Sequence, residues 1–378
     1  MEQRELRVGI IGCGMISRNH IESYQSMKHV RVVAVADLDP EASEKVAATY
    51  EIPVSVVDID RIWDQDLDVV SICTPHPTHE ALVLAAAGHG VNVVCEKPIS
   101  IDVAAASRMV AACEEAGVEL TVLFQRRFWP AAQQIRAALD DGPLQNPVLG
   151  HCSVMLHRDP EYYSQDDWRG TWRTDGGGVL MTQAIHYIDL LQWFMGDVQE
   201  VFGRVNTYKH GTNIEVEDSA VATLVFATGA MATIQASTAA SPALGAQVRV
   251  TGSNGSTAQL TEFPEGTDGR LDIWGEGESI TSLLTHPENV PPNASLSAIN
   301  DHLIPHHRSQ LEDFVDALRR SRKPAITGSD SVRALKILLA IYESARTGAP
   351  VRLNEEAIAT RVRVPDDVRS TTNPGERS

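Results

Sequence analysis

The chain has 378 residues, 43% of them hydrophobic, with 50 acidic against 32 basic side chains and a formal net charge of −18. That length is too great for one ordinary domain and ample for two, each with its own core. The acidic excess opposes a phosphate-backbone partner and an anionic membrane surface, so neither nucleic acid nor a membrane is expected as a partner.

Five cysteines, Cys13, Cys73, Cys95, Cys113 and Cys152, are odd in number and lack C-x-x-C spacing. Most sit in apolar runs, so they read as reduced core residues. Met1-Glu2-Gln3-Arg4-Glu5 leads straight into a strand with no apolar signal region, and no later stretch reaches membrane-spanning length. A cytoplasmic protein is the expectation.

The first predicted strand, Leu6 to Ile11, runs directly into Gly12-Cys13-Gly14-Met15-Ile16-Ser17. A strand followed at once by G-x-G and a helix turns backbone N–H groups toward a pyrophosphate at a helix N-terminus. Gly12 serves the tight turn and Gly14 the close approach of phosphate. Met15 and Ile16 open the helix, and Ser17 replaces the third glycine of the pattern with a residue small enough for close packing. The second strand, Val30 to Ala36, delivers Asp37 about 20 residues beyond the glycines, where a carboxylate accepts ribose hydroxyls. The same charge repels a 2′-phosphate, which favours NAD over NADP as cofactor.

Strand-like runs and helical patterns then alternate: Asp68–Thr74, Thr78–His89, Val91–Cys95, Asp102–Ala116 and Val118–Leu123. This predicts an α/β fold, an N-terminal Rossmann doubly wound parallel sheet spanning residues 1–124. A helix at about Trp129–Leu139 follows, and Gly142-Pro143 and Asn146-Pro147 then break the chain. Next come a long helical pattern over Gly178–Phe194 and strands at Val201–Thr207, Ser219–Phe226, Ala230–Ala236 and Gln247–Thr251, joined by short turns. The expectation is a C-terminal α/β domain, residues 125–364, with an open, mostly antiparallel sheet. One sheet face lies under the helix, and the other is a candidate subunit interface. Pro287–Asn300 reads as a surface loop, either a lid or a connection. Helices at about His307–Ser321 and Ser329–Thr347 precede a polar tail, residues 365–378.

Ligands of parallel sheets bind beyond the carboxyl ends of the strands. Two clusters fall there: Cys73-Thr74-Pro75-His76-Pro77-Thr78-His79 and Glu96-Lys97-Pro98. Glu96 and Lys97 are either a solvated pair or site residues, and His79 either a helix-start surface residue or a site residue. A third cluster runs from Asp175-Gly176-Gly177-Gly178 to Thr182, His186 and Asp189. Thr182 and His186, four apart, share one face of a helix, and Asp189 could hold His186 as a surface pair.

In this order and spacing, Gly12-Cys13-Gly14, Asp37, Cys73-Thr74-Pro75 with His79, Glu96-Lys97-Pro98 and Gly176-Gly177-Gly178 with His186 and Asp189 resemble the Gfo/Idh/MocA family of NAD(P)-dependent oxidoreductases, which includes glucose–fructose oxidoreductase and inositol dehydrogenases. The resemblance covers nearly the whole chain, including Trp168-Arg169-Gly170-Thr171-Trp172 and Ala340-Ile341-Tyr342-Glu343-Ser344-Ala345. It implies that Lys97 hydrogen-bonds the reacting hydroxyl and the nicotinamide ribose, and that His186 moves the hydroxyl proton. Such roles suit a cationic amine and an imidazole near pKa 6.5. Many family members carry aspartate where this chain has Thr182, which can hold a sugar oxygen but cannot act as a carboxylate base.

The expected cofactor-binding set is therefore Gly12, Gly14, Met15, Ile16, Asp37, Thr74, Pro75, His79, Glu96, Lys97 and Gln125. Arg126, Tyr163, Trp168, Arg169, Trp172 and Thr182 join Lys97 and His186 as substrate-binding candidates, and no metal site is expected. For Tyr162, Tyr163, Trp168, Arg169 and Trp172 the other reading is packing between domains, and for Gln125 and Arg126 an interdomain ion pair. The expected activity is NAD-dependent oxidation of a secondary hydroxyl on a sugar, glycoside or cyclic polyol by a homodimer or homotetramer. Two alternatives stay open: an NAD-using, redox-neutral glycoside hydrolase and a non-catalytic NAD-binding sensor.

Overall fold

Strand β1 (Leu6–Ile11) pairs in parallel with both β2 (Val30–Ala36) and β4 (Val69–Ile72), and these three carry the centre of a six-stranded sheet. With β3 (Val54–Val56), β5 (Asn92–Cys95) and β6 (Leu120–Val122) the order is β3-β2-β1-β4-β5-β6, and every neighbouring pair is parallel. Strand order reverses between β1 and β4, the position at which a doubly wound sheet opens a crevice at its carboxyl edge. The central strands are apolar along their length because helices cover both faces. Those helices are α1 (Ser17–Gln25), α2 (Pro40–Thr49), α3 (His79–Gly88) and α4 (Val103–Ala116).

The computed structural model describes residues 4–142, 144–165, 168–276, 279–282 and 295–353. Within these limits the chain divides into two compact units, one comprising Met1–Gln134, Glu262–Arg270 and Pro287–Arg333, the other Ile135–Thr261, Leu271–His286 and Ala334–Ser378.

The second unit holds the remaining strands: β7 (Pro147–Met155), β8 (Val198–Asn206), β9 (Ser219–Phe226), β10 (Met231–Ser237), β11 (Gly245–Gly252), β12 (Thr257–Glu262), β13 (Arg270–Glu276), β14 (Ser279–Ser282) and β15 (Val351–Arg352). Their order is β14-β13-β12-β11-β7-β10-β9-β8-β15. The sheet is mixed: β10 runs parallel to β7, whereas β11–β7, β9–β10, β8–β9, β13–β14 and β8–β15 are antiparallel. Alternation sets its two faces. Cys152, Val154, Ile234, Ala222, Leu224 and Val248 point to the buried side, on which helix α7 (Ile185–Met195) packs against β7 and β11. On the other side Leu149, Met231, Val221 and Phe202 are 53, 56, 52 and 38% exposed on the adjacent strands β7, β10, β9 and β8. The helices α5 (Pro130–Asp140) and α6 (Pro160–Ser164) precede α7.

Three expectations change. The helix α8 spans Leu296–Arg320, eleven residues earlier than its expected start, with Pro305 inside it. Proline usually ends a helical pattern by removing an N–H donor, which hid the first turns. Residues 287–294 of the expected loop lie outside the described residues, as does the tail from residue 365, and 296–300 are helical. Helix α8 also belongs to the first unit: Leu311, Phe314 and Val315 join Val8, Ile10, Ile21 and Tyr24 in one apolar cluster. Its Gln310 accepts from the Phe124 N–H at 3.0 Å and donates to the Val122 carbonyl at 2.8 Å, completing the main-chain bonding at β6. Finally, the segment expected as one α-helix over Gly178–Phe194 begins with a π-helical turn, Leu180–Ala184, and is α-helical only from Ile185. The spacing argument that put Thr182 and His186 on one α-helical face therefore does not cover the pair. Helix α9, Gly328–Thr347, matches its expected position within a residue.

Candidate functional site

Residues singled out for the cofactor gather at the carboxyl edge of the parallel sheet, because each follows a strand of that sheet. The turn after β1 is held by backbone geometry. Gly12 has φ +94°, and a Cβ there would lie 2.7 Å from the Cys73 carbonyl, so only glycine fits. Gly14 faces open space. The Cys13 N–H donates to Asp37 Oδ2 at 2.7 Å, and Asp37 Oδ1 accepts the Asp39 N–H at 2.9 Å. Burial and the Asp37 charge push the Cys13 thiol up to about 12, so it stays neutral. Ser17 is buried and its Oγ donates to the Gly14 carbonyl at 2.7 Å, which is how serine replaces the third glycine without opening the turn. At the end of β6, Gln125 is 2% exposed and its buried Oε1 has no hydrogen-bond partner.

Two members of the expected cofactor set turn inward. His79 is fully buried, with Nε2 2.9 Å from the Thr74 carbonyl and Nδ1 3.0 Å from the Pro98 carbonyl. It ties the loop after β4 to the loop after β5. Burial lowers its pKa.

Glu96 is likewise buried. Its Oε1 accepts from His20 Nε2 at 2.9 Å and lies 3.7 Å from His307 Nε2, and its Oε2 accepts the Lys97 N–H at 3.2 Å. Burial opposes its charge, but the two imidazoles outweigh burial and hold the carboxyl well below the usual range. Burial lowers the pKa of His20, which fits a neutral Nε2–H donor. Glu96 thus links α1, α8 and the backbone of Lys97 instead of facing a ligand. His20, Glu96 and His307 are also the one trio of metal-ligating side chains that comes together among the described residues. Lys97 itself is half-buried.

Arg126 is also committed. Its guanidinium pairs bidentately with Glu262, at 3.0 and 3.2 Å, both side chains buried, and lies 5.2 Å from the centre of the Trp129 ring. Arg126 and Glu262 both belong to the first unit, so this is an ion pair within it and not the expected interdomain one.

In the second unit the stretch from Trp168 to Gly178 folds against residues 214–217. Tyr163 is 8% exposed in a cluster with Ile214 and Val216, and its hydroxyl is 2.9 Å from Thr238 Oγ1. These contacts pack Tyr163 within the second unit. Trp172 donates from Nε1 to the Glu215 carbonyl at 2.9 Å. Arg169 lies over Tyr162 and Trp168, 4.6 and 4.7 Å from the ring centres, and donates to the Tyr162 hydroxyl at 2.7 Å. Thr182 Oγ1 donates to the Gly178 carbonyl at 2.8 Å and also meets Gln183 Oε1. His186 is 6% exposed and Asp189 is fully buried, so a surface pair is excluded.

The start of the His186 segment is held by residues that sequence reasoning missed. Glu217, 1% exposed, accepts the Gly178 N–H at 2.8 Å, the Leu180 N–H at 3.0 Å and the Tyr342 hydroxyl at 2.9 Å. A Cβ on Gly178 would collide with the Glu217 carbonyl, and one on Gly177 with the Tyr342 hydroxyl. Tyr342 belongs to the C-terminal motif of the family resemblance, whereas no motif or spacing marks Glu217.

A six-stranded parallel sheet with a glycine turn, an acidic residue after β2 and a switch point between β1 and β4 defines a dinucleotide-binding Rossmann domain. Residues 6–124 match GFO_IDH_MocA, the oxidoreductase family with an NAD-binding Rossmann fold, and residues 132–258 match the GFO/IDH/MocA C-terminal domain. The chain belongs to this family, and is an oxidoreductase with an NAD-binding domain. It is 29% identical over 93% of its length to D-apiose dehydrogenase from Paraburkholderia graminis, of which it covers 90%. It is 31% identical to inositol 2-dehydrogenase from Acidothermus cellulolyticus, over 69% of this chain and 74% of that one. Among solved structures, the WlbA dehydrogenase from Bordetella pertussis in complex with NADH and UDP-GlcNAcA is 30% identical, with a TM-score of 0.79 over 93% of this chain and 99% of that one. Among the described residues no helix is long and apolar enough to cross a membrane.

Proposed function

We propose that the protein is an NAD-dependent dehydrogenase that oxidises a secondary hydroxyl of a sugar, glycoside or cyclic polyol to a ketone. The observation that carries this reading is the tether between the glycine turn and Asp37, set beside the open space at Gly14. Gly12, Gly14, Met15 and Ile16 would hold the pyrophosphate at the start of α1, Asp37 the adenosine ribose, and the unpartnered Gln125 Oε1 the carboxamide of the nicotinamide. These donors and acceptors fit the group. When bound, NAD supplies the hydride acceptor.

The protein's own residues handle the proton and the charge. An alcohol proton does not leave unaided at neutral pH, so a base must take it as the C–H bond breaks. His186 is that base in this reading, and the Lys97 ammonium stabilises the developing alkoxide. Thr182 and the Arg169–Tyr162–Trp168 group bind the sugar, and Glu96 and His79 position the loops that carry Lys97 and Thr74. The pairing of Lys97 with His186 rests on the family motifs that carry them. Asp37 selects NAD over NADP. The apolar residues on the open sheet face support a homodimer or homotetramer joined there, acting in the cytoplasm.

The test is NADH formation from NAD with a panel of inositols, free hexoses, apiose and alkyl or aryl glucosides, run beside Lys97→Ala. Lysine-dependent NADH from one subset supports the dehydrogenase and names its substrate class. Aglycone release from glucosides without net NADH would move the reading to a redox-neutral hydrolase.

A further inference from the structure

Glu217 sits where nothing in the known chemistry of a dehydrogenase requires a carboxylate, yet it is buried and fully engaged. Its two oxygens gather three donors from two different elements. Oε2 takes the Gly178 N–H, and Oε1 takes both the Leu180 N–H and the Tyr342 hydroxyl. The first two are orphan donors of a helix start, which a negative charge satisfies and which the helix dipole favours. The third comes from α9, so the cap is locked from outside the segment it caps.

The segment so capped leads through the π-helical turn Leu180–Ala184 to Thr182 and His186. A π-turn departs from the regular α-helical hydrogen-bond ladder and recurs at functional sites. Gly178, whose N–H Glu217 holds, also accepts from the Met181 and Thr182 N–H groups and from Thr182 Oγ1, so the anchored residue is the one on which the turn is built. Burial pushes its carboxyl up to about 7, against the three donors that favour the charged form. The facing groups are Tyr342, whose own pKa burial and Glu217 raise well above its usual value, and Asp175, which acts on Tyr342. The rings of Trp172 and Tyr342 meet at right angles, with their centres 5.2 Å apart.

We infer that Glu217 and Tyr342 are positioning residues for His186: the carboxylate fixes the start of the π-turn and the tyrosine hydroxyl fixes the carboxylate. The inference rests on the reading of His186 as the base, and it extends that reading to two residues that touch neither substrate nor cofactor. Their contribution passes through geometry, where a displacement near 1 Å costs up to about 100-fold in rate.

The experiment compares wild type, Glu217→Gln and Tyr342→Phe by NMR of the 15N-histidine-labelled full-length protein, with His186 assigned from the His186→Gln spectrum. In both variants the His186 ring signals are expected to shift while those of His20 and His79, in the other unit, stay in place. With a panel substrate, kcat is expected to fall about 10- to 100-fold while the Kd for NAD stays within about twofold. In a His186→Ala background the same substitutions should have no further effect on kcat. If Glu217→Gln fails to fold, Tyr342→Phe, which removes only one oxygen, carries the test. Unmoved His186 signals in folded variants would overturn the inference, and so would additive losses in the His186→Ala background. A near-normal rate for His186→Ala alone would instead overturn the assignment of the base, and the shifts of the His186 signals would still decide the positioning.

Discussion

The main-chain N–H of Cys13 and the carboxylate of Asp37 are joined at 2.7 Å, so the glycine turn after β1 and the end of β2 form one structure. A carboxylate that anchors the turn with one oxygen has its place set before any ribose arrives. Asp37→Ala should therefore weaken NAD binding by about tenfold, the worth of one good charged hydrogen bond, and narrow the preference over NADP. Fluorescence titration with both nucleotides measures the two effects, and an unchanged ratio would remove Asp37 from cofactor selection.

Replacing His186 should act on chemistry alone. His186→Ala is expected to lower kcat by about 10² or more while leaving the Kd for NAD unchanged, since the nucleotide-binding turn lies in the other unit. A near-normal rate with the best panel substrate would sink the assignment.

Arg126 and Glu262 form a buried, bidentate pair, and breaking such a pair strands a charge in the interior. Arg126→Ala should cost roughly 3–5 kcal/mol in unfolding free energy, seen as a lowered denaturant midpoint. A stable variant with a raised KM would return Arg126 to the substrate-binding set.

Glu96 makes a pH-dependent contribution whose sign follows from its lowered pKa. The folded carboxyl ionises more readily than the unfolded one, so its stabilising contribution is full above about pH 4.5, its ordinary value, and is lost as the pH falls further. Thermal melts of wild type and Glu96→Gln should differ most near neutral pH and converge in acid. A gap of constant size from pH 7 to pH 3.5 would contradict this.

The open face of the mixed sheet gives a prediction about assembly. Met231→Asp or Val221→Asp places a charge among exposed apolar side chains and should convert an oligomer to a monomer in light scattering, with NAD binding retained. An unchanged mass would place the subunit contact elsewhere.

Much of the first unit is legible because buried parallel strands and glycine turns leave local marks: Leu6–Ile11 and the two strand-end clusters are short runs, and the spacing to Asp37 is only one strand–helix–strand unit long. What escaped was non-local. His20 and His307 lie 287 residues apart and meet only because α1 and α8 both pack near Glu96. Their sequence surroundings resemble those of any helix. Glu217 carries no local mark because its partners, Gly178, Leu180 and Tyr342, are 39, 37 and 125 residues away. Pro305 lies inside α8, where packing on the first unit overrides the local rule that proline ends a helix. Tyr163 and Arg126, for which the sequence leaves ligand contact and packing or ion pairing both open, each have a partner far along the chain, Thr238 and Glu262.

The glycine run has a practical consequence for anyone who would redesign this scaffold. Gly177 and Gly178 face the Tyr342 hydroxyl and the Glu217 carbonyl, which leave no room for a methyl group. The three stretches therefore travel as one unit: a loop transplanted from a relative must fit the backbone at 217 and the side chain at 342, or its start will be held by a frame built for another sequence.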